Sequence, residues 1–184
     1  VHTVQTFLKG YQAAREGGFK NINVDLIAGV PGQTLERFLD GLEKLLELAP
    51  EHLSVYGLQI EENTPFFERG IVCDQLLMRR MLEETHFRLQ QAGYHHYEIS
   101  NFARPGYEAK HNTHYWQNGD YIGLGSSAVS YLGGVRRQNT PDLKAYIRRM
   151  ETGESPVVFS EKLTGQAREG ETLLLGLRQL DGVA

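Results

Sequence analysis

The stretch that decides the fold is residues 22–34, which reads INVDLIAGVPGQT. Its first half is a β-branched apolar run that predicts a buried strand, and Thr34 after the turn is a good N-cap for a helix. Apolar residues recur at helical spacing over residues 35–48, and residues 52–60 predict a second strand. A helix is also predicted from about residue 4 to residue 14. This alternation is typical of a parallel α/β sheet or barrel, and the remaining strands are expected upstream of Val1.

The rest of the chain predicts a less regular arrangement. A helix capped by Asp74 should run to about Gln91, followed by a short strand over residues 94–100. Residues 101–118 are polar and aromatic with neither a helical nor a strand period, so we expect a loop. Two further helices are predicted, over residues 141–150 and 164–180.

Composition excludes several classes of function. The net charge is −4 and no basic stripe is visible, which argues against a nucleic-acid partner. No apolar run approaches the roughly 20 residues of a membrane span. The one cysteine, Cys73, can form neither an internal disulfide nor, by itself, a zinc or iron–sulfur site. A single cysteine favours a reducing, cytoplasmic compartment.

Asp25 is the first candidate binding residue. A carboxylate near the carboxyl end of a parallel strand can accept hydrogen bonds from both hydroxyls of a ribose. The Gly-rich turn that follows lets a ligand approach the backbone, and the helix beyond it favours anions at its N-terminus. The alternative is an aspartate whose carboxylate is satisfied by a backbone amide or an arginine, and the residues alone leave both open.

The second candidate is the string His111–Trp116, which reads HNTHYW. Imidazole and phenolate are both axial ligands of heme iron, and the aromatic rings could pack on a porphyrin face. A packed aromatic loop is the alternative interpretation.

Other polar pairs carry weaker signals. His95 and His96 lie on a predicted strand and should point to opposite faces, and Glu61–Glu62 fits a polar loop better than an acid–base pair.

Five stretches in this order resemble one family. They are 23–34, 53–56, 98–106 (EISNFARPG), 111–116 and 119–125 (GDYIGLG). The chain is similar to the branch of radical S-adenosylmethionine (SAM) proteins that contains the HemW-type heme chaperones and the oxygen-independent coproporphyrinogen III oxidases. The resemblance covers essentially the whole chain.

The resemblance implies an α/β fold and a division of the chain. Residues 1–70 would be the rear part of a partial (β/α) radical SAM barrel, residues 71–153 an α+β accessory region with the HNxxYW motif, and residues 154–184 the start of a small helical C-terminal domain. The family's Cys-X-X-X-Cys-X-X-Cys motif is absent, so the chain is expected to be a fragment. Its iron–sulfur cluster would be bound by a missing N-terminal part.

The resemblance also implies site residues. Asp25 would contact the SAM ribose, while Ile27 and Gln59 would line the adenine. His111 would be the candidate heme-iron ligand. The remaining implied heme-binding residues are Asn112, Tyr115 and Trp116.

Three functions follow as alternatives. The first is a heme chaperone that delivers heme to respiratory proteins, with peripheral membrane association of the full-length protein as a further expectation. The second is the oxidative decarboxylation of coproporphyrinogen III, and the third is an inactive fragment. The HNxxYW string favours the chaperone, whereas Val129 stands where many HemW proteins carry a histidine and favours the oxidase. We weigh the longer motif more heavily.

Overall fold

The computed structural model describes residues 3–183. The chain divides after Glu108 into two compact units, which are taken separately below. The division expected from the family, at residues 1–70, 71–153 and 154–184, stays a prediction.

The first unit alternates helices and strands around a four-stranded sheet. Strands β1 and β2 are parallel, whereas β2 and β4, and β4 and β3, are antiparallel, which gives the order β1-β2-β4-β3. The elements of this unit are α1 (Val4–Glu16), β1 (Asn23–Ala28), α2 (Leu35–Glu47), β2 (His52–Gly57), α3 (Pro65–Glu68), α4 (Gln75–Gln91), β3 (His95–Glu98) and β4 (Asn101–Ala103).

One face of this sheet forms the core. Phe38 and Leu42 on α2, and Met81 and Leu89 on α4, are at most 1% exposed and pack against the sheet. The predicted caps are confirmed: Thr34 accepts from the backbone of Arg37 and Asp74 from that of Leu77. Each cap satisfies an amide that would otherwise lack a partner at a helix N-terminus.

The opposite face of the sheet is polar. Register pairs Asn23 with His52 and Asp25 with Ser54, so these side chains share one side of the β1–β2 pair. Asn101 on β4 lies opposite Ser54 and belongs to the same face. The strand alternation that buries the core face therefore gathers polar groups on the other one.

The second unit contains a three-stranded antiparallel sheet with helices. Its order is β5-β6-β7, and β5 and β6 form a hairpin around Gly133 and Gly134, both with positive φ. Such a Gly-Gly pair suits a tight hairpin turn. The elements of this unit are α5 (Lys110–Trp116), β5 (Val129–Leu132), β6 (Val135–Asn139), α6 (Leu143–Thr152), β7 (Val157–Lys162) and α7 (Gly165–Gly176).

The prediction of a loop over residues 101–118 was wrong. Residues 101–103 form β4 and residues 110–116 form α5. All three residues of β4 are buried, so no alternation marks it. The α5 helix begins after Ala109, which provides no side-chain cap, so its start carries no sequence signal.

Candidate functional site

The first candidate site runs along β1 and past the end of β2, with Asp25 in the middle of β1 rather than at its carboxyl end. Asp25 is exposed on the polar face, and the Asn23 side-chain amide donates to its Oδ1 at 2.7 Å. Ile27, two residues on, is 46% exposed, and Gln59 is exposed just beyond the end of β2. Asp25 and Ile27 lie on β1 and Gln59 follows β2, and a carboxylate and an apolar side chain here could meet the ribose and base of a nucleoside.

The turn after β1 is braced by one side chain that the sequence analysis did not single out. Gln33 Oε1 accepts from the backbone amides of Gly29 and Val30 at 2.9 and 3.2 Å. Gly29 has φ +83°, and a Cβ there would lie 3.1 Å from the Met78 side chain. Glycine is therefore required both for the backbone conformation and for the close approach of α4.

A buried histidine network adjoins Asp25 on the polar face. His52 Nδ1 lies 2.7 Å from Asn23 Oδ1, and its Nε2 lies 2.7 Å from the Tyr97 hydroxyl. Ser54 Oγ donates to the same Asn23 oxygen at 3.1 Å. Burial lowers the pKa of His52 below its ordinary value, so the ring is neutral at pH 7. The network fixes the Asn23 amide that holds Asp25.

The second candidate site is helix α5, which carries the HNxxYW motif. His111 is exposed, and its ring meets that of Tyr115 edge to face at 4.5 Å between centroids. Tyr115 in turn meets Tyr121 edge to face at 4.6 Å. Because residues four apart share a helix face, the imidazole stands at the solvent end of an aromatic stack. An exposed imidazole supported in this way can coordinate a metal from solvent.

The other face of α5 turns toward the interior of this unit. Asn112 and Trp116 are half-buried, and the guanidinium carbon of Arg178 lies 4.3 Å from the Trp116 ring centroid. Within the described part of the chain, the buried Trp116 Nε1 and Tyr131 hydroxyl have no hydrogen-bond partner. Both residues line a cavity of about 460 Å³, and its other lining residues are Tyr115, Asn118, Tyr121, Arg136, Glu171, Leu174 and Leu175. Buried donors without partners beside a cavity suit an acceptor-bearing ligand or ordered water.

His114 differs from its neighbour in the motif because it is anchored. Its Nε2 lies 2.7 Å from the Asp120 backbone oxygen, and its ring packs so closely on Gly119 that a Cβ there would come within 2.3 Å. Among residues 3–183, no such hydrogen bond holds a ring nitrogen of His111, so His111 is the better candidate ligand of the two histidines of α5.

The remaining sequence candidates do not converge on a site. Glu61 and Glu62 are both exposed, and Cys73 donates weakly to the Leu58 oxygen at 3.7 Å. Across residues 3–183, no group of three or more His, Cys, Asp or Glu side chains is placed to hold a metal ion. In the same residues, no helix is long and apolar enough to cross a membrane.

Comparison with solved structures defines the class of protein. The chain is similar to coproporphyrinogen III oxidase (HemN) from Escherichia coli, a radical SAM enzyme, with a TM-score of 0.75 and 28% identity over 89% of this chain and 42% of that one. The predicted α/β class is confirmed by this match.

Comparison with curated proteins gives the family. The heme chaperone HemW of Bacillus subtilis is 37% identical over the whole of this chain and 50% of its own length. The HemW of Lactococcus lactis is 36% identical over the whole chain, and that of Escherichia coli is 41% identical over 70% of it. The chain belongs to the HemW-type family of radical SAM proteins, and it spans about half the length of the first two relatives. No family model matches it.

The side chains present fit two of the three groups that this family implies. The exposed His111 beside Tyr115 fits a heme, and the Asp25 carboxylate next to a braced glycine turn fits the nucleoside end of SAM. An iron–sulfur cluster requires several thiolates, and the sequence has one cysteine, so these residues do not fit a cluster.

Proposed function

We propose that this chain binds heme through helix α5, as part of a heme chaperone of the HemW type. The observation that carries the proposal is the exposed His111 imidazole, held edge-on by the Tyr115 ring within a motif shared with the family. His111 is the proposed iron ligand. Tyr115 orients the His111 ring, while Asn112 and Trp116 would contact the heme from the interior side of α5.

The two histidines of α5 differ in the contacts that their rings make. A histidine that ligates heme iron must present a neutral nitrogen to a face wide enough for a macrocycle. His111 is exposed, whereas His114 is bound to the Asp120 oxygen and packed on Gly119. The edge-to-face rings of Tyr115 and Tyr121 add an aromatic surface next to His111.

A hemin titration of the 184-residue chain, followed by absorbance in the Soret region, tests the proposal. We expect saturable binding of one equivalent, and His111→Ala should weaken it by about tenfold or more, which corresponds to about 1.4 kcal/mol. His95→Ala is the matched control because His95 is an exposed histidine of the other unit. Equal binding by the parent and His111→Ala would refute His111 as the ligand.

Two variants of Tyr115 separate its ring from its hydroxyl. Tyr115→Phe keeps the edge-to-face contact with His111 and should leave heme affinity unchanged. Tyr115→Leu removes the aromatic support and should weaken binding. If Tyr115→Phe alone abolished the heme spectrum, the phenol oxygen rather than His111 would be the ligand.

We further propose that Asp25, Ile27 and Gln59 contribute to a SAM site. SAM supplies radical chemistry only together with a reduced iron–sulfur cluster, for which this chain has no ligand set. Asp25 would accept from the ribose hydroxyls, with Asn23 holding one carboxylate oxygen in place. The exposed Ile27 side chain would cover one face of the adenine.

The proposal has three further parts, each supported by the family resemblance. They are delivery of heme to respiratory proteins, a cytoplasmic location, and peripheral membrane contact of the full-length protein.

A second candidate function is oxygen-independent coproporphyrinogen III oxidation, supported by the similarity to the Escherichia coli oxidase. An anaerobic assay for decarboxylated product, run on a protein of the relatives' full length, separates the two. Product formation without stable heme binding would favour the oxidase.

A further inference from the structure

A pair of histidines lies outside both sites described above. His86 on α4 and His96 on β3 face each other with their Nδ1 atoms 3.0 Å apart. Their ring centroids are 5.1 Å apart and the rings are tilted by 59°. No sequence pattern pairs these residues, because ten positions separate them and His95 is the nearer neighbour of His96.

The surroundings of His96 fix which of its nitrogens is free. Its Nε2 lies 3.2 Å from the Ile99 backbone oxygen, and since a carbonyl can only accept, the ring proton is on Nε2. Its ring stacks on Phe102 with centroids 4.0 Å apart and planes 13° apart. The Nδ1 lone pair of His96 is therefore directed toward His86 by a rigid ring. Metal-binding histidines are commonly oriented in this way, through a hydrogen bond from the other ring nitrogen to a carbonyl.

The second histidine opens the pair to solvent. His86 is exposed, so an ion can reach the two Nδ1 atoms from outside. In the ion-free pair, His86 donates from Nδ1 to His96, and on metal binding that proton moves to Nε2 of the same ring. Two neutral imidazoles then offer one lone pair each. Burial lowers the pKa of His96 below its ordinary value, so its ring is neutral at pH 7.

The separation of the two nitrogens indicates the preferred geometry. With metal–nitrogen bonds of about 2.0–2.1 Å, nitrogens 3.0 Å apart subtend an angle of about 94° at the metal. A tetrahedral angle would need a separation of about 3.3 Å. An angle near 90° suits the tetragonal coordination of Cu(II) and Ni(II) rather than tetrahedral zinc.

We propose that His86 and His96 form a two-histidine surface site for a late first-row divalent metal ion, with Cu(II) bound more tightly than Ni(II) or Zn(II). The remaining positions are filled by water. Glu83, one turn before His86, is paired with Arg79 at 2.8 Å and is not counted as a ligand. The site is independent of the proposed heme and SAM functions.

Titration of the 184-residue chain with Cu(II) in a weakly chelating buffer tests the proposal, with electron paramagnetic resonance as the readout. We expect one equivalent with an axial signal and coupling to two nitrogens. His86→Ala and His96→Gln should each weaken this binding by about tenfold or more. His95→Ala is the matched control, because His95 lies next to His96 in sequence but near Glu108, with its Nδ1 3.7 Å from that carboxylate.

The outcomes are distinguishable because the other four histidines, His2, His52, His111 and His114, are present in every variant. His86 is exposed, so His86→Ala should keep the parent's circular dichroism spectrum. Unchanged Cu(II) binding in His86→Ala, or equal loss in His95→Ala, would overturn the pair as a site. Tighter binding of Zn(II) than of Cu(II) would overturn the tetragonal assignment.

Discussion

Gly123 is the position where one added carbon should cost the second unit most. A Cβ there would lie 2.1 Å from the Val129 backbone oxygen, whereas ordinary contacts are 3.4–4 Å. The atoms nearest to this Cβ all belong to the Val129 backbone and not to a flexible side chain, so the backbone must move by about 1 Å or more. That movement would open the bridge between Tyr121 and Tyr131, whose two hydrogen bonds measure 2.7 and 2.9 Å.

The expected loss for Gly123→Ala follows from these contacts. Two backbone hydrogen bonds contribute about 1 kcal/mol each. Tyr131 is only 2% exposed, and partial loss of its packing adds roughly 1–2 kcal/mol out of the 3–5 kcal/mol typical for removing a buried aromatic side chain. The sum is at least about 3 kcal/mol, a large fraction of the stability of a small domain.

Urea denaturation followed by tryptophan fluorescence measures this loss directly. Trp116 is the single tryptophan and lies in the second unit, so its signal reports on that unit. With a slope of about 1.5 kcal/mol per molar urea, the midpoint should fall by about 2 M. Gly170→Ala in α7 is the control: no atom lies within 4 Å of its added Cβ, and it should gain about 0.5–1 kcal/mol. A Gly123→Ala midpoint within about 0.3 M of the parent would refute the steric argument.

Three further predictions concern the first unit. His52 has a folded-state pKa below its unfolded value, so the unfolded chain binds the extra proton and stability should fall as pH drops below about 6.5, by about 1.4 kcal/mol per unit of pKa difference. His52→Gln should flatten this slope in denaturation followed by circular dichroism, and an identical slope would contradict it. Glu51→Gln weakens bonds to Arg15 and the Ile22 amide at 2.9 and 3.0 Å and should cost about 1–2 kcal/mol at pH 7, and a loss of the same size at high salt would argue against an ionic contribution. Gly29→Ala strains a positive-φ turn against α4 and should cost about 1–2 kcal/mol, and a melting temperature unchanged from the parent would contradict this.

The first unit was largely predictable because its signals are local and agree with one another. Thr34 and Asp74 both cap helices as expected, and the helices they begin bury one apolar face each. The sequence pattern also indicates the polar face, because Asn23 and Asp25, and His52 and Ser54, alternate with apolar residues along their strands. What the sequence could not give was the register that joins Asn23 to His52, because a parallel pair is set by tertiary packing rather than by a turn.

The second unit was poorly predicted for a different physical reason. Strand β7 has no buried residue, so no apolar alternation marks it, and β6 carries two consecutive arginines. The Gly133–Gly134 pair between two short strand-like segments is typical of a hairpin turn, and it was overlooked as a prediction. Helix α5 lacks a capping side chain and has no buried residue, so neither a cap nor a buried apolar stripe marks it in the sequence.

The polar face of the β1–β2 pair bears on the proposed SAM site in a way that single residues do not. Parallel strands are normally covered on both faces by apolar packing. Here one face packs on α2 and α4, while the other carries a connected network of Asn23, His52 and Ser54, with Ile27 and Tyr56 left 46% and 42% exposed at its edge. A histidine and an amide are costly on a face that packs in a core. A face that only contacts solvent has no requirement for a hydrogen-bond network that holds Asp25 in place through Asn23. This arrangement supports the proposed SAM site, because it positions a carboxylate before a ligand arrives and so lowers the entropic cost of binding.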